Sequence, residues 1–158
     1  MNLKNRVLVG VVSVTLASST VLLEGTRYTP YDDVVGVITV CNGHTGRDVA
    51  RGKVYTPEEC KALLEKDLVA HREGINKCIN VPLTPYQFDA FTLFSYNVGV
   101  NAFCTSHSVA EPLNRGEYTK ACDGLLKWTY AGGKYVQGLY NRRVKERDMC
   151  LGKLEKQP

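Results

Sequence analysis

The chain has 158 residues, a formal net charge of +4, 44% hydrophobic residues and 23% charged residues. Such a composition is typical of a folded globular protein and excludes wholesale disorder. The small positive charge, dispersed except at residues 142–147, excludes a strongly basic nucleic-acid-binding surface and fits a polyanionic cell wall better as partner.

The first predicted element is an apolar N-terminal segment. Lys4 and Arg6 precede residues 7–23, a run without charge, and this order is typical of an export signal. At ~1.5 Å per residue the run covers roughly 25 Å, at the short end for a membrane span. Its Gly, Ser and Thr residues weaken insertion. A signal peptide cleaved near Ala17, a permanent anchor and a temporary anchor that later leaves the membrane all remain open; the weak insertion favours the last.

Two carboxylates follow this segment. Glycoside hydrolysis requires a pair of carboxyl groups, one protonated and one ionised. Glu24 directly follows the apolar run, which favours a neutral acid if that run packs around it, whereas Asp33 lies in a wetter setting that favours the ionised form. The spacing alone is weak support, because two acids nine residues apart are common by chance.

A helix-rich α+β fold is predicted for the remainder. The β-branched run over residues 34–40, followed by a turn at residues 43–46, indicates a small β-hairpin. Capping boxes at Thr56 and Thr84 each predict a helix start. Helical spacing of apolar residues predicts two further helices, over residues 117–128 and 136–151. No linker divides the chain.

The ordered set Glu24, Asp33 and Thr39, followed by Gly43-His44-Thr45-Gly46, resembles the catalytic signature of the phage lysozymes of glycoside hydrolase family 24. The resemblance continues in "YTPEECKALLEKDL", "VPLTPYQFDAFTLFSYNVG", "WTYAGGK" and "GLYNRRVKERDMC". It covers nearly the whole domain. It implies a lysozyme-like fold with a β-hairpin lobe and a helical lobe flanking a cleft for the glycan strand.

The resemblance also implies a function. We expect a muramidase that hydrolyses the β-1,4 bond between N-acetylmuramic acid and N-acetylglucosamine in peptidoglycan, causing host cell lysis. By position, Glu24 is the expected general acid, Asp33 orients water or stabilises the oxocarbenium-like state, and Thr39 helps to place that water. Spacing selects Asp33 over Asp32, which we interpret as solvated. A lytic transglycosylase and an inactive wall-binding module remain as alternatives.

Four further positions are candidates for substrate contact. Asn97 aligns with a cleft-facing position and either donates hydrogen bonds to sugar or caps a helix beside Gly99. His44 is a second candidate, although a histidine after a turn glycine more often supports the hairpin. Arg142 and Arg143 either contact wall carboxylates, lie on a solvated helix face or form an ion pair at a helix end. The stretch "TSHSVAEPLN" departs from the family pattern, and Pro112 is expected to break a helix there.

The cysteine pattern indicates disulfides and no metal site. Six cysteines without a C-x-x-C pair, behind an export-like segment, predict up to three disulfides in a periplasm, with 15 connectivities open. Pairing Cys78 with Cys104 brackets the Thr84 helix, and the simplest remaining pairs are Cys41 with Cys60 and Cys122 with Cys150. We expect no cofactor and a monomer.

The resemblance extends to endolysins with a signal-anchor-release segment. We therefore expect residues 1–23 to form that segment, with residues 7–23 in the inner membrane before release, and residues 24–158 to form the catalytic domain. Glu24 is then pinned at the membrane surface, where it cannot reach a site built with Thr39, because catalysis needs groups placed to about an ångström. Release into the periplasm would free it.

Overall fold

The computed structural model describes residues 2–10, 16, 17, 19, 20 and 24–153. It divides into two compact units, one of residues 12–70 and one of residues 1–11 with 71–158. We call these the sheet unit and the helical unit. The mixture of helices with small sheets confirms the predicted α+β class.

The sheet unit is built on three antiparallel strands in the order β1-β2-β3. Their bounds are β1 (Arg27–Asp32), β2 (Ile38–Cys41) and β3 (His44–Thr45). Thr39 in the middle strand lies opposite both Tyr31 and Thr45. Candidate polar side chains are thus carried on the central strand and on the turn that enters it.

The predicted strand over residues 34–40 is wrong in its first half. The N–H of Gly36 donates to the carbonyl of Asp33 at 3.0 Å, and Gly36 has a φ of 80°, so residues 33–36 form a turn. The β-branched run predicts a strand, but Asp followed three residues later by Gly is turn chemistry, and here it prevails. The turn predicted at residues 43–46 is also shifted, because His44 and Thr45 pair with β2.

Helix α2 (Pro57–Asn76) follows the sheet and begins at the predicted capping box. The Glu59 N–H donates to Thr56 Oγ1 at 3.1 Å, and the Thr56 N–H donates to Glu59 Oε2 at 2.8 Å. Together with β2 this helix supplies a small core, whose buried members are Val40, Cys41, Val49, Tyr55 and Cys60.

Besides the end of α2 and the 3-10 helices Leu3–Asn5 and Leu125–Lys127, the described part of the helical unit contains six α-helices and a two-stranded sheet. They are α1 (Arg6–Val9), α3 (Pro85–Val98), α4 (Val100–Cys104), α5 (Ala110–Asn114), α6 (Tyr118–Gly124) and α7 (Gln137–Cys150), with β4 (Tyr130–Ala131) and β5 (Lys134–Tyr135). Helix α3 is the centre of this unit: every residue from Phe88 to Ser95 is buried, and α7 packs along it. It begins at the predicted Thr84 capping box and ends before Gly99.

Two helix predictions need correction. The helix predicted over residues 117–128 is α-helical only to Gly124 and continues as a 3-10 helix over Leu125–Lys127. Pro112 was predicted to break a helix. Instead it lies in the first turn of α5. A first-turn residue has no intrahelical partner for its N–H, so proline is tolerated there.

The predicted anchor over residues 7–23 lies only partly in the described chain, which leaves out residues 11–15, 18 and 21–23. Leu16 and Thr20 are helical and buried, and Thr20 Oγ1 donates to the Leu16 carbonyl at 2.9 Å. Among the residues that are described, no helix combines the length and apolar character needed to cross a membrane.

All three predicted disulfides are confirmed. Cys41 is bonded to Cys60 in the sheet unit, and the helical unit contains Cys78–Cys104 and Cys122–Cys150. The second bond joins the segments that flank α3, as the sequence spacing predicts.

Candidate active site

Asp33 is fixed by the turn that enters β2. Its Oδ1 accepts hydrogen bonds from the N–H groups of Val35 and Val37, at 2.9 Å and 2.8 Å. Its own N–H donates to the Val37 carbonyl at 3.0 Å. An acceptor that is bonded to two backbone donors cannot swing freely, so this carboxylate has a defined position at the edge of the sheet.

Thr39 is held through the same peptide units. Its side chain is largely buried, with the residue 4% exposed, and Oγ1 donates to the Val37 carbonyl at 3.0 Å. The backbone of Val37 therefore connects the carboxylate of Asp33 to the hydroxyl of Thr39. Because the hydroxyl hydrogen is used in this bond, the Thr39 oxygen is left as an acceptor, which suits the placing of a water molecule.

Asp32 is set apart from Asp33 by an exposed ion pair. Arg51 donates from Nη2 to Asp32 Oδ1 at 2.6 Å and from Nη1 to Oδ2 at 3.3 Å. The hydrogen bond from Arg51 lowers the pKa of the Asp32 carboxyl group. The negative charge of Asp32 is thus paired with the positive charge of Arg51, whereas Asp33 is held by backbone N–H groups.

Glu24 is exposed, is helical in conformation, and precedes Gly25, whose φ is 71°. Asn42, a residue that the sequence reasoning missed, fixes the chain directly after it. Asn42 is 3% exposed, and its Nδ2 donates to the Gly25 carbonyl and to Thr26 Oγ1, the latter at 2.9 Å. In the sequence Asn42 precedes Gly43 and is typical of a turn, so no pattern distinguishes it. All of these groups lie in the sheet unit.

His44 links β3 to two carboxylates of the sheet unit. It is 6% exposed; Nδ1 lies 2.8 Å from Asp67 Oδ2, and Nε2 lies 3.0 Å from Asp48 Oδ2. Burial alone would lower the pKa of His44, but its hydrogen bonds to Asp67 and Asp48 outweigh that effect and raise it. Both ring nitrogens are therefore engaged within the sheet unit.

Asn97 lies exposed near the end of α3, in the helical unit. Its Oδ1 accepts a hydrogen bond from Nη2 of Arg143. Arg143 is fully buried and also donates to Glu146 Oε2 at 2.7 Å and to the Trp128 carbonyl at 3.1 Å. This arrangement orients the Asn97 amide. Arg143 is thus a buried network residue and does not lie on a solvated helix face.

The helical unit contains an open cavity of about 530 Å³. It is lined by His107, Ser108, Lys127, Trp128 and Tyr130. Trp128 Nε1 donates to Ser108 Oγ at 3.0 Å, which fixes the indole ring. In the described ranges no group of three or more His, Cys, Asp or Glu residues is placed to hold a metal ion.

A small antiparallel sheet presents a fixed carboxylate and hydroxyl, and a second carboxylate, Glu24, precedes that sheet in the chain. Together with a helical unit built on one buried helix, this arrangement is typical of a lysozyme-like protein. The sequence model of the family described as phage lysozyme matches residues 21–146. The chain belongs to the phage lysozyme family.

Individual relatives agree with this assignment. The chain is 47% identical over 158 residues to an SAR-endolysin of bacteriophage PS119, covering 94% of each sequence. Its fold is similar to that of a P22 lysozyme mutant, with a TM-score of 0.79 at 35% identity over 89% of this chain and 97% of that one. It is also similar to the muramidase domain of SpmX from Asticaccaulis excentricus, with a TM-score of 0.81 at 30% identity and the same coverage.

Proposed function

We propose that this protein is an endolysin that hydrolyses the β-1,4 bond between N-acetylmuramic acid and N-acetylglucosamine in peptidoglycan and so lyses the host cell. The observation that carries the proposal is the joint fixation of Asp33 and Thr39 by the Val37 backbone, in a chain of the phage lysozyme family. Peptidoglycan is the substrate that this family membership implies.

The three candidate groups divide the reaction between them. Glu24 donates a proton to the glycosidic oxygen as the bond to the sugar carbon breaks. Asp33 orients the attacking water or stabilises the positive charge that develops on that carbon. Thr39 accepts a hydrogen bond from the same water. The water supplies the hydroxyl group of the new reducing end, and its remaining proton restores the acid.

The test is a turbidity assay on permeabilised Gram-negative cells. We expect wild type to clear the suspension and Glu24→Gln, which keeps the size of the side chain but cannot donate the proton, to leave it turbid. Clearing by Glu24→Gln at the wild-type rate would contradict the proposed acid. Mass spectrometry of the digested glycan separates hydrolysis from the alternative, because a lytic transglycosylase leaves 1,6-anhydro ends.

Substrate contacts in the helical unit are assigned to Asn97. Because Arg143 occupies the Asn97 carbonyl oxygen, the amide presents its N–H groups as donors, which suits sugar hydroxyl and acetamido oxygens. His44, with both ring nitrogens bonded to carboxylates, supports the sheet and does not contact sugar. The aromatic and cationic lining of the cavity beside Trp128 suits a glycan that carries carboxylates.

The N-terminal segment is proposed as a temporary anchor. Residues 7–23 would span the inner membrane, hold the monomeric catalytic domain (residues 24–158) at the periplasmic face, and keep Glu24 at the membrane surface, away from Asp33. Collapse of the membrane potential would release the segment into the periplasm. The burial of Leu16 and Thr20 in the sheet unit supports a released form in which this segment packs within the protein.

Fractionation before and after an ionophore tests the anchor. We expect one full-length species to move from the membrane to the soluble fraction. A shorter species present from the outset would indicate ordinary signal cleavage and would contradict the proposal, without affecting the muramidase assignment.

A further inference from the structure

The first residues of the chain are attached to the rest of the helical unit by hydrogen bonds. Asn5 is 1% exposed. Its Nδ2 donates to the Val81 carbonyl at 3.1 Å, and its Oδ1 accepts from the Leu83 N–H at 2.8 Å. A carboxamide bonded on both sides in this way takes the place that a peptide group of a neighbouring strand would take.

Two side chains of α2 complete the attachment. Arg72 Nη1 donates to the Leu8 carbonyl at 2.5 Å, and Asn76 Nδ2 donates to the Asn2 carbonyl at 3.4 Å. Arg72 is itself fixed by an ion pair with Asp89. By contrast, the apolar side chain of Leu3 is 72% exposed. This surface therefore forms its hydrogen bonds with polar atoms of residues 2–8, while Leu8 is half-buried.

We propose that Arg72, Asn76 and residues 81–83 form a binding site for the chain's own N-terminus, which is filled only after release from the membrane, with Asn5 as the side chain it recognises. This inference rests on the temporary anchor proposed above and adds to it a defined end state.

The site and its ligand are separated by the bilayer before release. Lys4 and Arg6 place the residues before position 7 on the cytoplasmic side, while the catalytic domain is exported. Between Asn5 and Glu24 a helix extends roughly 28 Å, so Asn5 cannot reach Val81 or Leu83 from the anchored state. The free energy of these contacts therefore belongs to the released form alone and shifts the equilibrium toward it.

The polar character of the contact makes it selective for the released form. An apolar N-terminal residue that was buried in the helical unit would gain almost as much from the bilayer, and so would discriminate poorly between the two states. A carboxamide is disfavoured in hydrocarbon, but in this site both its nitrogen and its oxygen are hydrogen-bonded. Asn5 can thus favour release without strengthening the anchor.

The test compares Asn5→Ser with Asn2→Ser in the full-length chain. The two variants make the same chemical change three residues apart, and neither alters the flanking charge that sets topology. Serine at position 2 keeps an acceptor for the Lys4 N–H, which the Asn2 side chain supplies at 2.9 Å, and serine is a good N-cap residue. Serine at position 5 is too short to reach both Val81 and Leu83.

Two measurements are needed. Amide hydrogen exchange at Leu83 is followed in the soluble full-length protein, and the ratio of soluble to membrane-bound protein is followed after addition of an ionophore. We expect Asn5→Ser to speed the exchange and to lower the ratio, each about 5–30-fold, the factor that one or two hydrogen bonds supply. We expect Asn2→Ser to match wild type.

Each other result overturns the inference in a recognisable way. If Asn5→Ser is released like wild type, or if its Leu83 amide remains equally protected, the proposed site has no role while the temporary anchor stands. If wild type is never released at full length, the anchor itself fails and the inference fails with it. A cooperative thermal transition of Asn5→Ser, close to that of Asn2→Ser, excludes general misfolding as the cause of a loss.

Discussion

Two adjacent aspartates differ in the groups that hold them, and this difference supports the separate roles proposed for them. Asp32 is paired with the exposed guanidinium of Arg51, whereas Asp33 is bonded to the N–H groups of Val35 and Val37. A carboxylate that is fixed by backbone is suited to orient water, because its position does not depend on a mobile partner.

Asp33→Asn therefore should reduce muramidase activity by about 100-fold or more, the scale of a general acid or base contribution, and should leave the fold intact. Asp32→Asn is the matched control and should retain near wild-type activity. The measurement is the initial rate of wall hydrolysis by purified protein. Equal losses in the two variants would contradict the assignment of Asp33.

Asn42 acts through the chain beside Glu24. Its amide donates to the Gly25 carbonyl and to Thr26 Oγ1, so Asn42→Ala removes the bonds that place the candidate acid. We expect kcat to fall about 10–100-fold, because small misplacements of reacting groups are costly, with KM little changed. Asn141→Ala, at an exposed position on α7, is the control. A change in KM alone would indicate a different role.

At the scale of secondary structure, the stability of the three-stranded sheet depends on a charged cluster formed by His44, Asp48 and Asp67. His44 is bonded to Asp67 and Asp48, its pKa is raised, and the hydrogen bond from His44 lowers the pKa of Asp48. The raised His44 pKa adds stability that is complete below the unfolded value of 6.5 and is lost as pH rises through the folded value. The lowered Asp48 pKa adds stability that is lost as pH falls through its folded value, below 3.8.

The expected result is a thermal midpoint that declines as pH is raised above about 6.5, the ordinary histidine value, through the titration of His44. His44→Gln should lower the midpoint at acidic pH and remove this part of the decline. His107→Gln, which changes a histidine that is exposed, should keep it. Scanning calorimetry between pH 5 and 9 would show whether the dependence follows His44, and a decline that persists in His44→Gln would contradict this account.

The Cys41–Cys60 bond ties the strand that carries Thr39 to the start of α2. Replacing both cysteines by alanine should cost about 2–4 kcal/mol of unfolding free energy and should also reduce activity. The corresponding change at Cys122 and Cys150, whose sequence separation in the helical unit is 28 against 19 for the first pair, should cost at least as much stability with less effect on activity. Denaturant titration and wall hydrolysis, measured on both pairs, provide the comparison.

Much of this architecture could be predicted because its signals are local. Capping boxes at Thr56 and Thr84, the glycine after α3 and the cysteine spacing each act within one turn or one loop. The turn at Asp33–Gly36 was missed because a β-branched run and a turn signal overlap there. The hydrogen bonds of Asn42, Asn5 and Arg143 join positions far apart in the chain, or depend on backbone atoms that every residue carries. No sequence pattern therefore predicts them.

For the protein as a whole, the proposed regulation depends on a weak anchor. Replacing Ser18, Ser19 and Thr20 by leucine should strengthen membrane insertion, since each leucine contributes roughly 0.3–0.6 kcal/mol and a polar residue is removed each time. We expect this variant to remain in the membrane fraction after an ionophore and to lyse cells slowly or not at all. Lysis at the wild-type rate by protein that stays in the membrane would contradict the requirement for release.

The placement of the three disulfides bears on how quickly the protein can act. Each bond closes inside one unit, and the first cysteine in the sequence is Cys41, so covalent maturation requires nothing from the N-terminal residues. In the proposed anchored state, oxidation in the periplasm can be finished before release from the membrane. The interval between loss of the membrane potential and wall digestion would then contain no thiol chemistry, and the onset of lysis should be insensitive to a thiol-alkylating agent added just beforehand.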